Sequence, residues 1–285
     1  MPKVDVNGIG IAYEIFGKGD RTVAITAGGR FSKDTPGLAD LGEKLASAGF
    51  RALIWDRPNC GESDACFDAE TESAMNTAAY AGLLEKVGFG PTIFVGGSAG
   101  ARISLLTAIR NPEQCAGLLL LWVAGGPLGL AVLSIHYCFD SAFAANTKGM
   151  EAVVELPVWK EILTRNPGNR ARFLAQDPKV FYQTMQRWAA AFLPKDDSPV
   201  PGVSPDDLKT IKVPTIVLNS GHSDVHHPRY VTEAIAGYIP GAELREPPWP
   251  DTEWNDLLQD KNATMYQNWG KLAPVVIELA GRIWK

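Results

Sequence analysis

The sequence predicts an α/β protein, a mostly parallel sheet covered by helices on both faces. Three observations carry that expectation. Short apolar segments alternate with helical ones through the first half of the chain. The rhythm stops after Pro127 and resumes at Val213. A pentapeptide of small residues, Gly96-Gly97-Ser98-Ala99-Gly100, stands at one strand-to-helix junction. Strands buried on both faces read as near-continuous apolar runs, as these do.

The elements follow in order. VDVNGIGIAYEIFG holds two alternating runs about Asn7-Gly8, a hairpin signature. RTVAITAG reads as a buried strand ending in glycine. Thr35-Pro36 is expected to open a helix as cap and first-turn proline, with Leu38, Leu41 and Leu45 on one face and Gly49 closing it. RALIWDR is the next strand, Glu72 to Val87 the next helix, and Gly88 its stop. PTIFVGG, a helix from Ala99, and AGLLLLWVA repeat the unit. The interval after Pro127 looks helical, with Phe181, Met185, Trp188 and Phe192 at helical spacing. Lys195 to Asp207 reads as its exit linker. VPTIVLNSG, a helix from about Pro228, a strand at AELREP and a last helix to Trp284 complete the chain. The expected organisation is a core of residues 1–126 and 206–285 with a helical lid at 127–205.

Composition excludes several classes. With 285 residues, 46% of them hydrophobic, the chain can bury a sizeable core. A net charge of −5 offers no footprint for nucleic acid. The four cysteines, Cys60, Cys66, Cys115 and Cys138, have no CxxC spacing and read as reduced thiols. MPKVDVNGIG has no apolar signal core, so a cytoplasmic location is expected. Cys115 to Ile135 has no charged residue, but Gly125-Gly126-Pro127 breaks it, which favours strand, turn and buried helix over a membrane span. The expected partners are a small-molecule substrate and, as one assembly state, a second copy of the chain; neither nucleic acid nor a membrane is expected, and no cofactor or metal.

Four segments, TAGGR, DRPNCGES, GGSAG and GHSDVHHP, come in this order after the third, fourth, fifth and seventh strands. In this setting the chain resembles the α/β-hydrolase family, with an eight-stranded sheet and a helical lid inserted after the sixth strand. The resemblance implies that Ser98 is a nucleophile at the turn of a G-x-S-x-G motif. A neutral hydroxyl needs both placement and a base, and small neighbours fit so tight a turn. It further implies an oxyanion hole from the Ala99 N–H and the glycine turn at Gly29, with Arg30 as the other candidate. Asp224 fits the acid position, ahead of Asp56. Arg30 and Arg102 are weighed as holders of a substrate carboxylate or as structurally paired arginines, and Trp188 and Trp249 as substrate-binding aromatics.

The family pattern breaks at the base. In the family a histidine follows the last strand, whereas here that loop reads REPPWPDTEWNDLL. Only His136, His222, His226 and His227 exist in the chain. Three replacements are open: His226 or His227 from the acid loop, His136 in the lid paired with Asp140 one helical turn on, or a carboxylate, Asp251 or Glu253. HSDVHH has metal-ligand residue types without a helix-borne spacing. The expected function is a cofactor-independent serine hydrolase acting on a small ester, lactone or activated C–C bond. The alternatives are a ligand-binding degenerate hydrolase and a non-hydrolytic lyase or decarboxylase using the same pocket.

Overall fold

A computed structural model describes residues 2–193 and 198–284. Eight strands form one sheet in the order β1-β2-β4-β3-β5-β6-β7-β8. They are β1 (Lys3–Val6), β2 (Ile9–Phe16), β3 (Arg21–Thr26), β4 (Phe50–Trp55), β5 (Thr92–Gly97), β6 (Cys115–Leu121), β7 (Thr215–Leu218) and β8 (Glu243–Arg245). The β1–β2 and β2–β4 pairs are antiparallel and all other pairs parallel. The first hairpin turns on Asn7 and Gly8, both at positive φ, the backbone that a two-residue hairpin loop demands.

Alternation along each strand divides the core. Ala24, Leu118 and Leu120 enter a cluster with Tyr80, Leu83 and Leu84 of α2 (Glu72–Lys86), Leu105 of α3 (Ala99–Arg110) and Ile235. Val23, Ile25, Leu119 and Leu121 point the other way, onto Leu38, Leu41 and Leu45 of α1 (Leu38–Ser47). Adjacent strand residues face opposite sides, so a strand apolar at every position needs helices on both faces.

Between β6 and β7 the chain is helical: α4 (Pro127–Ser134), a π-helical turn at Ile135–Phe139, α5 (Asp140–Lys148), α6 (Met150–Val154), α7 (Lys160–Arg165), α8 (Gly168–Leu174) and α9 (Pro178–Ala190). These helices have a core of their own, in which Trp159, Phe173, Phe181 and Trp188 pack round Phe67 from the loop after β4, and Met185 and Phe192 belong to the same cluster. The aromatic stripe is thus packing material. The run Pro127–Lys148 is long and apolar enough by length and composition to cross a membrane, and half of it is buried in the protein. The uncharged stretch Cys115–Ile135 is divided among β6, a turn and α4.

After the helical region come α10 (Pro205–Thr210), α11 (Arg229–Tyr238), α12 (Glu253–Gln259) and α13 (Ala273–Ile283). Of the expected exit linker, residues 195–197 lie outside the described residues. Its far end is ordered by α10, where Ser204 and Asp207 form a reciprocal capping box. Two boundaries differ from expectation. Thr35 is not the cap of α1, since its hydroxyl bonds to Ser32 O and Gly37 occupies the cap. The proline-rich loop after β8 contains α12, a helix too short for periodicity to reveal.

Candidate active site

Every segment singled out in the sequence converges on the carboxyl edge of the parallel strands. Gly28 follows β3, Asp56 follows β4, Ser98 follows β5, Trp122 follows β6, and Asp224 with His227 follow β7. That edge is where strand-to-helix loops bring distant chain segments together.

Ser98 has φ 55° and ψ −121°, a strained backbone for a residue with a side chain. It is held there by close packing on both sides. A Cβ on Gly100 would come 2.1 Å from Thr26 O, and one on Gly28 would come 2.5 Å from Ser98 Cβ. Only glycine allows the three loops to approach so closely. The Ser98 N–H is anchored on Leu121 O at 3.1 Å.

The Ser98 hydroxyl lies 3.0 Å from His227 Nε2. On the other side of the ring, His227 Nδ1 lies 2.9 Å from Asp224 Oδ2. The second carboxylate oxygen, Asp224 Oδ1, accepts the backbone N–H groups of His226 and His227, each at 3.0 Å. The tight turn Asp224–His227 therefore folds back on its own acid, which lets two side chains three residues apart meet. Both are buried. Aromatic rings enclose the imidazole: Trp254 meets it edge-on at 4.3 Å, and Trp122 lies near-parallel at 6.5 Å. Trp254 comes from the segment after β8, where the family pattern has its histidine. That loop supplies a wall for the imidazole.

The glycine turn after β3 presents its N–H groups selectively. The Gly28 N–H donates to Tyr266 Oη at 2.8 Å. The buried Arg57 donates to the carbonyls of Gly28 and Gly29 and fixes the peptide orientation. Gly29 has φ 55°, and its N–H forms no hydrogen bond among the described residues. Ala99 is the first residue of α3, where a backbone N–H has no intrahelical acceptor. Ala99 adjoins Ser98 in the chain, and Gly29 follows the Gly28 that packs against the Ser98 side chain.

The other sequence candidates are placed elsewhere. His226 accepts the Trp254 indole N–H at 3.2 Å through Nδ1 and does not contact Ser98. His136 packs on Tyr137, with no hydrogen bond or ion pair to Asp140 among the described residues. Burial and the nearby Arg30 charge push its imidazole down from the ordinary value. Asp251 is exposed and pairs with His222 at 2.9 Å, while Glu253 accepts from Asn268 at 2.6 Å. Neither carboxylate reaches the serine. Trp188 is enclosed in the helical region and donates to Ala69 O at 3.0 Å. Trp249 packs on Trp122, at 5.5 Å between ring centroids. The two rings share a cavity of about 240 Å³ with Trp254. Arg30 pairs with Glu72 at 2.9 Å and lies over the Tyr137 and Trp159 rings. Asp56 accepts the N–H groups of Lys33 and Glu62 at 2.6 and 2.8 Å, which accounts for it as a loop organiser.

Arg57, Trp122, Trp254 and Tyr266 were not singled out from the sequence. Arg57 lies within the DRPNCGES segment, which is a usable signal. The other three are aromatic residues without local pattern.

Residues 28–260 match the model of a family described as the alpha/beta hydrolase family. The chain belongs to the alpha/beta hydrolase family. Among curated relatives of this hydrolase-family chain, a 2-hydroxy-6-oxononadienedioate/2-hydroxy-6-oxononatrienedioate hydrolase of Burkholderia vietnamiensis (strain G4 / LMG 22486) is 33% identical over 86 residues, 30% of each chain. A hydrolase of the same description, numbered 2, from Pseudomonas putida is 30% identical over 120 residues, 41% of this chain and 40% of that protein. The alignments span less than half the length of these relatives. Two solved structures share the fold of this alpha/beta hydrolase. The enol-lactonase from Burkholderia xenovorans LB400 has a TM-score of 0.61 at 20% identity, covering 98% of this chain and 100% of that one. A thermophilic esterase from Thermogutta terrifontis has a TM-score of 0.63 at 20% identity over 100% of both chains.

Proposed function

We propose that this protein is a serine hydrolase that cleaves a small ester, a lactone or an activated C–C bond beside a carbonyl. The 3.0 Å contact between Ser98 Oγ and His227 Nε2 carries the reading. Ser98 Oγ attacks the substrate carbonyl carbon and passes its proton to His227 Nε2. The carbonyl oxygen becomes an oxyanion and accepts the Gly29 and Ala99 N–H groups. His227 then returns the proton to the departing oxygen or carbon, leaving an acyl group on Ser98. Water, deprotonated by His227, releases the acid and restores the serine. Asp224 keeps the proton of the resting imidazole on Nδ1 and stabilises the imidazolium between steps.

Three considerations support this over a degenerate binding protein. The base absent from its family position has a counterpart in His227, seated on the acid it needs. The strained Ser98 backbone is what a hydrolase retains at some cost to stability. The named activities of the relatives, hydrolysis of oxononadienedioates and of an enol-lactone, fall in the same chemical class.

Pre-steady-state hydrolysis of 4-nitrophenyl butyrate tests the reading. The expected outcome is a burst of nitrophenol equal to the enzyme concentration, with an acyl adduct on Ser98 by mass spectrometry. Turnover persisting in Ser98→Ala would overturn it.

A further inference from the structure

The helix that begins at Ser98 carries an unusual cation. Arg102 is about nine-tenths buried, at 8% exposure, one turn after the serine. Its backbone N–H bonds to Ser98 O at 3.3 Å. Its guanidinium has no hydrogen bond and no ion pair among the described residues, and Nε is wholly enclosed without a partner. Among the described residues its recorded contact is the face of Phe192, 4.9 Å away. Arginine has five donors and a permanent charge, so burial without an anion is costly.

The surroundings do not compensate. Glu72 is the nearby carboxylate, and it is engaged by Arg30 at 2.9 Å. Arg57 lies close by, its Nη2 donating to the carbonyls of Gly28 and Gly29. Burial pulls Arg102 below its ordinary value, with Glu72 opposing and Arg57 adding to the fall. Arg102 therefore sits between a carboxylate already paired with Arg30 and a second guanidinium, Arg57. The cluster borders the reacting centre: Tyr137, packed on both Arg30 and Phe192, has its hydroxyl 3.8 Å from where a Gly29 Cβ would stand.

We propose that Arg102, backed by Arg30, receives a free carboxylate on the acyl part of the substrate, so that the enzyme selects acidic esters or lactones. The assignment rests on Ser98 being the nucleophile. One helical turn, about 6 Å along the axis, separates Ser98 from Arg102. That suits a short dicarboxylic acid, with one end esterified at the serine and the other ionised at the arginine. The acid completes the charge balance of the cluster and supplies acceptors for the idle donors. A neutral acyl chain would leave both unmet.

The experiment compares kcat/KM for the 4-nitrophenyl monoester of glutaric acid with that for neutral 4-nitrophenyl butyrate. It uses the wild type, Arg102→Gln and Arg102→Lys. Wild type is expected to favour the acidic ester by at least about 10-fold. Arg102→Gln is expected to reduce that ratio about 10- to 100-fold, the worth of a charged hydrogen bond, mainly through KM for the acidic ester. Lysine should restore part of it. A wild type without acidic preference overturns the proposal, whether or not the variants fold. So does an Arg102→Gln enzyme with an unchanged ratio, which would mark the arginine as structural. A neutral fluorophosphonate separates the two readings. Labelling of Ser98 with no acidic preference overturns the carboxylate site alone, whereas failure to label overturns the nucleophile as well.

Discussion

His227 and its neighbour His226 show what one residue's position decides. Both lie within three residues of Asp224, and both backbone N–H groups bind the same carboxylate oxygen. Only His227 directs its ring between acid and serine. His227→Ala is expected to lower kcat by at least about 10⁴-fold, as expected when one member of an interdependent set is removed. Asp224→Asn should cost a similar factor, because the amide no longer holds the proton on Nδ1. His226→Ala and His136→Ala should keep kcat near wild type. Steady-state kinetics on one neutral ester checks all four. The sequence marks Asp224 as the acid and leaves the base open among His226, His227, His136 and the carboxylates Asp251 and Glu253; it cannot choose between adjacent histidines. Side-chain direction in a turn depends on φ and ψ values that residue identities leave open. The aromatic wall was equally hidden, since Trp122 and Trp254 are 132 residues apart in the sequence.

At the scale of elements, the strand-to-helix turns are built on backbone contact. Gly100→Ala would press a Cβ against Thr26 O at 2.1 Å. Overpacking of that kind costs about 1–3 kcal/mol, measurable by urea denaturation, and activity should fall as the Ser98 turn shifts. The loop after β4 makes a pH-dependent contribution. Burial pushes Asp56 up to about 6 from 3.8. The folded protein therefore holds this proton more tightly than the unfolded chain does. Its stabilising contribution is complete below about pH 4, declines as pH rises to about 6, and is flat above. Wild type should therefore exceed Asp56→Asn in stability by more at about pH 5 than at about pH 7.5, by denaturation at both. Strand and helix order was legible because buried parallel strands and amphipathic helices leave periodic signals. The start of α1 was not, because Thr35 and Pro36 look like a cap while the Thr35 hydroxyl and N–H bond back to Ser32 O in a preceding turn.

For the whole molecule, the helical region and the sheet domain meet around Phe67. Its ring contacts Trp159, Phe173, Phe181 and Trp188, with centroids 4.9–6.0 Å away. Phe67→Ala should cost about 3–5 kcal/mol in chemical denaturation. If those helices form the proposed lid, the same loosening should raise KM more than it lowers the rate of Ser98 labelling, because Ser98, His227 and Asp224 sit on loops that follow strands of the sheet. An insertion after the sixth strand could be read from the loss of alternation. How its aromatics divide between packing and substrate contact could not, because a helical stripe looks the same in either role.

The rate at which a fluorophosphonate labels Ser98, followed by intact-protein mass and peptide mapping, tests the central claim most directly. Wild type should acquire one label per chain, on Ser98, and His227→Ala should react at least about 100-fold more slowly while remaining folded. Labelling of His227→Ala at the wild-type rate, or a label on any other residue, would contradict the assignment.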